Sequence, residues 1–325
     1  MKMVLLGTGT SHGIPCIGCN CAVCRSKDKR DKRLRCSAYV THKNTDGTFV
    51  HILIDVGPEF RIQALRHRIR AVDAVLLTHS HADHLHGLDD LRIFSHTASS
   101  DNTPESLGEG LPIYANKHTI RDVKKRFAYI FEETQTGGGK PKIALKDCRI
   151  LNEADAPRFG EIRIQPVPMK HGTLKTTGWA LSCMQNGVMH SIIYLTDCNK
   201  IKKRALIRLT KTCGVIDPLI IDGLRIPPHA THFCFLEALD IAEQLGARRT
   251  WLTHITHMNS HEQIIAYIEK HLQEFPRLKQ IVSAGGSVAP AYDGLILGQV
   301  RMKKQAAIYS LSPCKAESSA SATEL

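Results

Sequence analysis

The residues with the clearest chemical potential lie in one short segment after an apolar run at residues 74–77. That segment reads Thr-His-Ser-His-Ala-Asp-His from Thr78 to His84. Imidazole nitrogens and carboxylate oxygens bind borderline divalent cations such as Zn, Mn and Fe. If the strand continues, His79 and His81 point the same way, since alternate residues share a face. Asp83 and His84 follow where the chain must turn, so the segment predicts two neighbouring ions about 3.5 to 4 Å apart.

Three further candidate ligands follow other strand-like runs. They are His171 after residues 162–169, Asp197 after residues 194–196 and His254 after residues 251–253. Each is a weak signal alone, because a single histidine after a strand is more often a capping or surface residue and a single aspartate a turn former. A polar loop that happens to be rich in histidine is the alternative for residues 78–84, since 18 of the 325 residues are His.

Three cysteines are crowded into a second constellation, at Cys19, Cys21 and Cys24. A structural zinc ion needs four ligands, so three thiolates require one further donor. His257, three residues after His254, is a plausible fourth ligand. Cys16 adds another thiol that could compete with it, and a set of free buried thiols is the alternative to a metal site.

Composition supports an ordinary soluble globular protein rather than a disordered or fibrous one. The chain has 325 residues, 42% apolar and 23% charged, and its formal net charge of +12 favours acidic ligands. No stretch reaches the roughly 20 apolar residues of a membrane span, and the first residues do not form a secretory signal, so we expect a cytoplasmic protein with no membrane partner. In that reducing compartment, the eleven cysteines are not expected to form a disulfide framework.

The elements that must position these residues can be read from the apolar pattern. Short apolar runs predict buried strands, at residues 3–6, 51–54, 74–77, 192–195 and 250–252. Helical patterns follow Thr119, span residues 235–245 before Gly246, and follow a capping box from Ser260 to Gln263. Strands interleaved with helices predict a layered α/β fold, and the turn at residues 44–47 predicts a hairpin.

We expect a single domain over residues 1–300, including the Cys-rich loop at 16–24. Residues 301–325 form a C-terminal extension that we expect to be disordered from about residue 313, because of its Ser, Ala and Glu content. The polar segments 96–110 and 135–142 are expected to be surface loops.

A basic run at residues 25–35 raises the question of nucleic-acid binding. Asp28 and Asp31 interrupt this run and no aromatic residues alternate with it, so base stacking is not supported. A solvated helical face is the more common reading of such a run, and an anion-steering role for one or two of its arginines stays open.

The metal motif resembles that of the metallo-β-lactamase-fold hydrolases. His79-x-His81-x-Asp83-His84 followed by His171, Asp197 and His254 matches that superfamily in order, and residues 6–10 and 54–57 resemble its first strands and turns. The resemblance implies an α/β fold of the four-layer αββα type. It also implies that His79, His81 and His171 hold one ion, that Asp83, His84 and His254 hold the other, and that Asp197 bridges them.

The Cys-rich loop narrows the resemblance to the phosphoribosyl 1,2-cyclic phosphate phosphodiesterases. In that family, three such cysteines and the second histidine of a His-x-x-His pair hold a structural zinc, which here implies Cys19, Cys21, Cys24 and His257. A histidine upstream of the pair acts as general acid. His232 is its best match and His229 is the competitor, while Asp83 is expected to be catalytic as well as a ligand.

These observations predict a metal-dependent phosphodiesterase that hydrolyses a small cyclic phosphate ester. A metal-bridging hydroxide would attack phosphorus and His232 would protonate the departing oxygen. The expected cofactors are two divalent ions, Zn or Mn, and one structural Zn. The alternatives are an RNA-processing endonuclease of the transfer-RNA 3′-processing type and a non-catalytic metal-binding protein. Nucleic acid is thus a less favoured partner than a small phosphate ester, and a homodimer is a further expectation.

Overall fold

Two seven-stranded sheets form the centre of the computed structural model, which describes residues 1–96, 110–132, 139–153 and 156–298. The strands of the first sheet are β1 (Lys2–Gly7), β2 (Ser37–Lys43), β3 (Phe49–Ile54), β4 (Ala74–Leu76), β5 (Leu111–Ala115), β6 (Ile143–Asp147) and β14 (Ile296–Gly298). Those of the second are β7 (Arg163–His171), β8 (Leu174–Gln185), β9 (Val188–Leu195), β10 (Lys200–Ile201), β11 (Val215–Asp222), β12 (Arg249–Thr253) and β13 (Ser287–Pro290). Their orders are β14-β1-β2-β3-β4-β5-β6 and β10-β7-β8-β9-β11-β12-β13.

Helices cover the outer face of each sheet. They are α1 (Ala22–Arg25), α2 (Phe60–His67), α3 (Ala82–Leu85), α4 (Arg92–His96), α5 (Lys117–Arg126), α6 (Ala128–Phe131), α7 (Lys203–Thr212), α8 (Phe235–Leu245), α9 (His261–His271) and α10 (Pro276–Ser283). Phe60 and Val123 pack helices α2 and α5 against the first sheet, and Leu239 and Ile264 pack α8 and α9 against the second. The order of layers is therefore α, β, β, α, and the predicted fold class is confirmed.

Both faces of the central strands are buried, which explains their continuous apolar sequences. In β3, Ile52 and Ile54 pack into the core between the sheets, whereas Leu53 faces the helices of the first layer. On the opposite sheet, Trp179 and Tyr194 fill the same inter-sheet core and are fully buried. A strand covered on both sides has no solvent face, so its sequence does not alternate between apolar and polar residues.

The local sequence signals mostly match the observed element boundaries. Antiparallel pairing of Lys43 with Phe49 confirms the hairpin predicted at residues 44–47. The capping box at Ser260 starts α9, and Gly246 ends α8 with a positive φ of 64°. The helix expected after Thr119 begins earlier instead, because the side chain of Asn116 accepts hydrogen bonds from the amides of His118 and Thr119.

Several expectations concern residues outside the described ranges. The C-terminal extension 301–325, most of the polar segment 96–110 and the first half of the glycine-containing segment 135–142 belong here. The division into one domain to residue 300 and an extension stays a prediction. Among the described residues, no helix is both long enough and apolar enough to cross a membrane.

The basic run at residues 25–35 is not a solvated helical face, contrary to the common reading of such runs. Arg30 pairs with Asp28 and Glu262, and Arg35 pairs with Glu59. Arg33 is 2% exposed and donates a hydrogen bond from Nη1 to Thr8 Oγ1 at 2.9 Å. These three arginines are engaged in the structure because the chain here folds against the N-terminal strand and helix α9. An anion-steering role of the fourth arginine, Arg25, stays a prediction.

Candidate metal centre

The predicted ligands lie at one edge of the sandwich, where several parallel strands end. Strand β4 runs parallel to β3 and β5, and strands β9, β11 and β12 are mutually parallel neighbours. The carboxyl ends of parallel strands lie at the same edge of a sheet, where loops can converge on a ligand. His79 follows β4, Asp197 follows β9, His254 follows β12, and His171 is the last residue of β7.

The structure brings all seven side chains into overlapping groups. Ligand atoms of Asp83, His84, Asp197 and His254 lie within 4.8 Å of one another, and so do those of His79, His81 and Asp197. The ring of His171 is 5.1 Å from that of His81 and 5.8 Å from that of His79. Asp197 belongs to both groups and is therefore the residue around which two sets of donors are arranged.

Individual distances show how closely the polar atoms converge. His84 Nε2 lies 3.0 Å from Asp197 Oδ2 and 3.1 Å from Asp83 Oδ2. His254 Nε2 lies 3.2 Å from the other oxygen of Asp197, and His79 Nε2 lies 3.8 Å from that oxygen. The two carboxylate oxygens of Asp197 thus face different histidines.

Four buried imidazole nitrogens at this centre have no hydrogen-bond partner in the described part of the chain. They are the Nε2 atoms of His79, His84 and His254 and the Nδ1 atom of His254. A buried polar atom without a partner costs about 1 to 3 kcal/mol, so the cluster of three Nε2 atoms calls for an explanation. Divalent cations fit, because neutral imidazoles and carboxylates are the ligands they take and these atoms converge on shared points.

The Nδ1 atoms of two of the proposed ligands are held by a second layer of groups. His84 Nδ1 donates to Asp55 Oδ2 at 2.8 Å, and His171 Nδ1 donates to the carbonyl oxygen of Thr231 at 2.8 Å. Asp55 also accepts hydrogen bonds from the amide and hydroxyl of Thr78, each at 2.8 Å. Such partners fix the ring orientation and leave Nε2 free to bind a metal. The sequence motif at residues 54–57 contained Asp55, but its contact with His84 was not anticipated.

The backbone is strained at the same place. Asp55, Asp197 and His254 have positive φ angles of 58°, 54° and 61°. Residues other than glycine rarely adopt this left-handed region, and such residues concentrate at functional sites where the surroundings hold them. Each of the three follows directly after a strand or within two residues of its end, which turns the side chain across the sheet edge towards the centre.

The electrostatics of the centre set Asp197 and His79 in the protonation state that metal binding needs, but not His84 and His254. At these two rings burial lowers the pKa, but the carboxylates of Asp197 and Asp83 outweigh this effect and raise the pKa above its ordinary value. Burial raises the pKa of Asp197, but His254, His84 and His79 outweigh this effect and hold it well below the usual range. Burial lowers the pKa of His79 well below its ordinary value. An ionised carboxylate beside a neutral imidazole is the ligand form required for a divalent cation.

His232, the predicted general acid, lies beside this centre. Its ring stacks on that of His254 with centroids 4.6 Å apart, and it lies 4.4 Å from the ring of His171. His232 Nδ1 donates to Asp222 Oδ2 at 2.8 Å. The competitor His229 is one ring further away, 5.3 Å from His232. Sequence reasoning did not identify Asp222, although its position at the end of the apolar run 218–221 was a usable signal.

The Cys-rich loop places its donors around His257. The Sγ atoms of Cys19, Cys21 and Cys24 lie 3.4, 3.5 and 3.4 Å from His257 Nδ1. Ligands about 2.0 to 2.3 Å from a tetrahedral zinc ion are separated by roughly 3.5 Å, so these four donors fit. Cys16 has a different environment, because its Sγ lies 2.9 Å from His12 Nδ1.

Comparison with known proteins identifies the family. A family model described as the beta-lactamase superfamily domain matches residues 51–255. The chain belongs to this superfamily. A solved structure described as a new diphosphatase from the PhnP family is 35% identical, with a TM-score of 0.69 over 91% of this chain and 96% of that chain. These matches confirm the predicted resemblance to superfamily phosphodiesterases.

Two other similar proteins carry different names. An octanoyltransferase of Porphyromonas gingivalis is 33% identical over 290 residues, which is 88% of this chain and 52% of that protein. The chain therefore spans about half the length of that relative. Human tRNase Z, short form, is 16% identical with a TM-score of 0.57, covering 92% of this chain and 99% of that chain. At this identity, the similarity to this superfamily member shows the fold alone.

Proposed function

We propose that this superfamily member is a dinuclear metal-dependent phosphodiesterase that hydrolyses a small cyclic phosphate ester. The observation that carries the proposal is the position of Asp197, which belongs both to the group with His79 and His81 and to the group with Asp83, His84 and His254. The proposed ligands of one ion are His79, His81 and His171, and those of the other are Asp83, His84 and His254, with Asp197 shared. When bound, two Zn or Mn ions would supply an activated water at neutral pH and positive charge for the phosphoryl oxygens.

His232 has the geometry of a proton donor to the leaving oxygen. Its Nδ1 is engaged with Asp222, so its other ring nitrogen is available to a substrate beside His171 and His254. Protonation of the departing alkoxide matters most when that alkoxide is a poor leaving group, as in a sugar ester. Asp83 is proposed to orient the attacking water in addition to its role as a ligand.

A separate zinc ion is proposed for Cys19, Cys21, Cys24 and His257, where it would stabilise the fold. This loop follows the N-terminal strand, and His257 is three residues from the proposed ligand His254. A metal bound here would therefore hold the end of β12 in place without taking part in the reaction.

Acyl transfer is not proposed for this chain, despite the name of one relative. Only 52% of that relative aligns with this chain. The thiols next to the centre also have poor properties as nucleophiles, because burial raises the pKa of Cys36 to about 12 and raises that of Cys198. A thiol needs a lowered pKa to be a reactive nucleophile.

Hydrolysis of bis(p-nitrophenyl) phosphate by the metal-loaded protein tests the proposal. Asp197→Asn and His79→Ala should each lower kcat by at least about 1,000-fold, because each removes a donor on which the nucleophile depends. His67→Ala, on helix α2, is the matched control and should keep full activity. Unchanged hydrolysis in the two site variants would refute the mechanism.

A panel of substrates then separates the cyclic-ester proposal from its rivals. We expect kcat/KM to be highest for a phosphoribosyl 1,2-cyclic phosphate and much lower for linear diesters. Faster cleavage of precursor transfer RNA would favour an RNA-processing endonuclease instead. No turnover of any ester by a fully metal-loaded protein would favour a non-catalytic metal-binding protein.

A further inference from the structure

A cavity of about 370 Å³ lies next to the metal centre but contains none of its proposed ligands. It is lined by residues of β7 and β8, by the start of α5 and by the segment after β6. Pro166 and Pro168 line it and project from the same face of β7 as Lys170, because alternate residues of a strand share a face. Among the described residues that line it, six are Lys or Arg and none is Asp or Glu. This volume is within the range of small-molecule sites, about 300 to 1,000 Å³.

Three of these cations form a row across adjacent strands. Lys200 of β10 is directly opposite Lys170 of β7, and Lys170 is directly opposite Lys175 of β8. Residues directly opposite each other in antiparallel strands project from the same face of the sheet, so the three side chains share one side. We call Lys200, Lys170 and Lys175 the lysine row. Like charges in directly opposite positions destabilise a sheet, so the row opposes folding.

The start of helix α7 adds to this positive potential. Lys202, which also lines the cavity, is the N-cap residue of α7 and caps no helical amide with its side chain. Lys203 and Arg204 follow in the first turn, which contains no acidic residue. The amino end of a helix carries partial positive charge, so basic residues here are unfavourable and an anion would be stabilised.

No carboxylate neutralises the cations of the row. Within the described ranges, Lys170, Lys175 and Lys200 form no ion pair, whereas Arg149, another lining residue, pairs with Asp147. The row is also exposed to solvent, so an incoming ligand can reach it. A polyanionic ligand would remove the repulsion within the row.

We propose that this cavity binds a nucleoside phosphate, with its phosphates along the lysine row and its uncharged part on the surface formed by Pro166 and Pro168. Two features select this class of ligand. Several adjacent cations suit more than one phosphate charge, and the apolar surface suits a base or sugar rather than a free inorganic ion. The small volume favours a mononucleotide over a polymer.

The cavity and the metal centre are lined by neighbouring residues of the same strands, but no proposed metal ligand lines the cavity. Lys170 precedes His171, and Thr176 Oγ1, from a lining residue, donates to the carbonyl oxygen of Asp197 at 3.1 Å. The amide of Thr177, another lining residue, donates to the carbonyl oxygen of Thr78 at 2.9 Å. A ligand in the cavity would thus contact the hairpin that carries His171. The proposal goes beyond the phosphodiesterase activity and does not depend on it.

Calorimetric titration of the full-length, metal-loaded protein with ADP tests the site. Lys200→Gln should weaken ADP binding by about tenfold, which corresponds to one charged hydrogen bond. Lys270→Gln, in exposed helix α9, is the matched control and should bind ADP as the unchanged protein does. Adenosine, which lacks the phosphates, should bind at least tenfold more weakly than ADP. Inorganic pyrophosphate, which lacks the nucleoside, should also bind more weakly than ADP, and the difference in affinity measures the contribution of the apolar surface.

Lysine acetylation separates this cavity from the metal centre, where ADP could also bind. Bound ADP should protect Lys170, Lys175 and Lys200 from acetylation in a mass-spectrometric footprint and leave Lys270 unprotected. Asp197→Asn should abolish hydrolysis of bis(p-nitrophenyl) phosphate but keep this protection, and Lys200→Gln should do the opposite. Failure of the phosphodiesterase proposal and failure of the nucleotide site therefore give different patterns.

Charge reversal distinguishes a binding role from a structural one. Lys200→Glu places a carboxylate opposite Lys170, so Tm should stay the same or rise by about 1 to 2 °C while ADP binding is lost. ADP affinity that is unchanged in both Lys200 variants, or absence of protection at the row, would overturn the proposal. If substitution of Lys200 weakened the binding of a single-stranded oligonucleotide more than that of ADP, the cavity would be part of a nucleic-acid surface, and the mononucleotide proposal would be wrong.

Discussion

Asp222 and His232 form a buried pair at the edge of the proposed active site, with Oδ2 of Asp222 2.8 Å from Nδ1 of His232. The same carboxylate oxygen accepts the amide of Cys198 at 2.8 Å, which fixes its orientation. Asp222 has no exposed surface, and His232 is 8% exposed. A carboxylate in this position keeps a proton on Nδ1 of the neutral ring. The other ring nitrogen, which faces the proposed ligands, carries a proton only when the ring is charged.

Asp222→Asn should therefore impair proton donation more than metal binding. We expect kcat to fall about 10- to 1,000-fold for esters with alkoxide leaving groups, because the charged ring loses its partner. The loss should be much smaller for p-nitrophenyl esters, whose leaving group needs no proton. Steady-state kinetics on both ester types measures the difference. Asp240→Asn on the exposed side of α8 is the control, and an equal loss for both ester types would contradict a positioning role of Asp222.

Asp55→Asn should weaken metal binding at the centre. Asp55 is fully buried and holds His84 through a hydrogen bond of 2.8 Å, so its removal frees the ring of a proposed ligand. Loss of such a partner typically costs about 10- to 100-fold in metal affinity. Competition with a chelator measures this affinity. Asp73→Asn removes a similar carboxylate from His51, away from the centre, and should leave metal affinity unchanged.

The sequence predicted the layered fold and the assembly of the seven proposed ligands because both depend on local signals. Apolar runs mark the strands, and the proposed ligands lie at the ends of strands or in the segment 79–84 that follows one. The partners of those ligands could not be predicted in the same way. The contacts of Asp55 with His84 and of Asp222 with His232 depend on how neighbouring strands are aligned, and no spacing within one segment encodes that alignment. The lysine row depends on the register of three strands, so its members appear unrelated in the sequence.

The cysteine loop predicts a distinct pattern of metal content. His257→Gln and Cys24→Ser should each lose one zinc equivalent per chain, from about three to about two, because each removes one of four donors. Cys16→Ser should keep all three, since its Sγ lies 2.9 Å from His12 Nδ1 and is not among the three thiols that converge on His257 Nδ1. Elemental analysis of the purified proteins gives these counts. If Cys16→Ser lost a zinc ion and His257→Gln kept it, Cys16 rather than His257 would be the fourth ligand, and the proposed ligand set would be wrong.

Zinc loss should also lower stability. A ligand present at about 1,000 times its dissociation constant stabilises the folded state by about 4 kcal/mol. Thermal unfolding of Cys24→Ser should therefore no longer depend on added zinc in the range where the unchanged protein does. Cys16→Ser again serves as the matched control.

His261 predicts a stability change in mild acid. It is 3% exposed, its Nδ1 lies 3.4 Å from Arg33 Nη2, and its amide donates to Asp31 Oδ1 at 2.7 Å. Burial, together with the nearby charges of Arg33 and Arg30, lowers its pKa to about 4. In the unfolded chain a histidine titrates near pH 6.5, so between about pH 6.5 and 4 the unfolded state binds more protons than the folded state. The stability contributed by His261 is present above pH 6.5 and is lost as the pH falls towards 4.

Urea unfolding at pH 7 and pH 5 measures this loss. The free energy of unfolding of the unchanged protein should fall by about 1 to 2 kcal/mol more than that of His261→Gln, which has no group to titrate. Any pH dependence of metal binding is common to both proteins, so the difference between the two isolates His261. His190→Gln in β9 is the control and should keep the pH dependence of the unchanged protein. If His261→Gln lost as much stability as the unchanged protein between these pH values, the ring would bind protons equally in the folded and unfolded states, and the lowered pKa of His261 would be refuted.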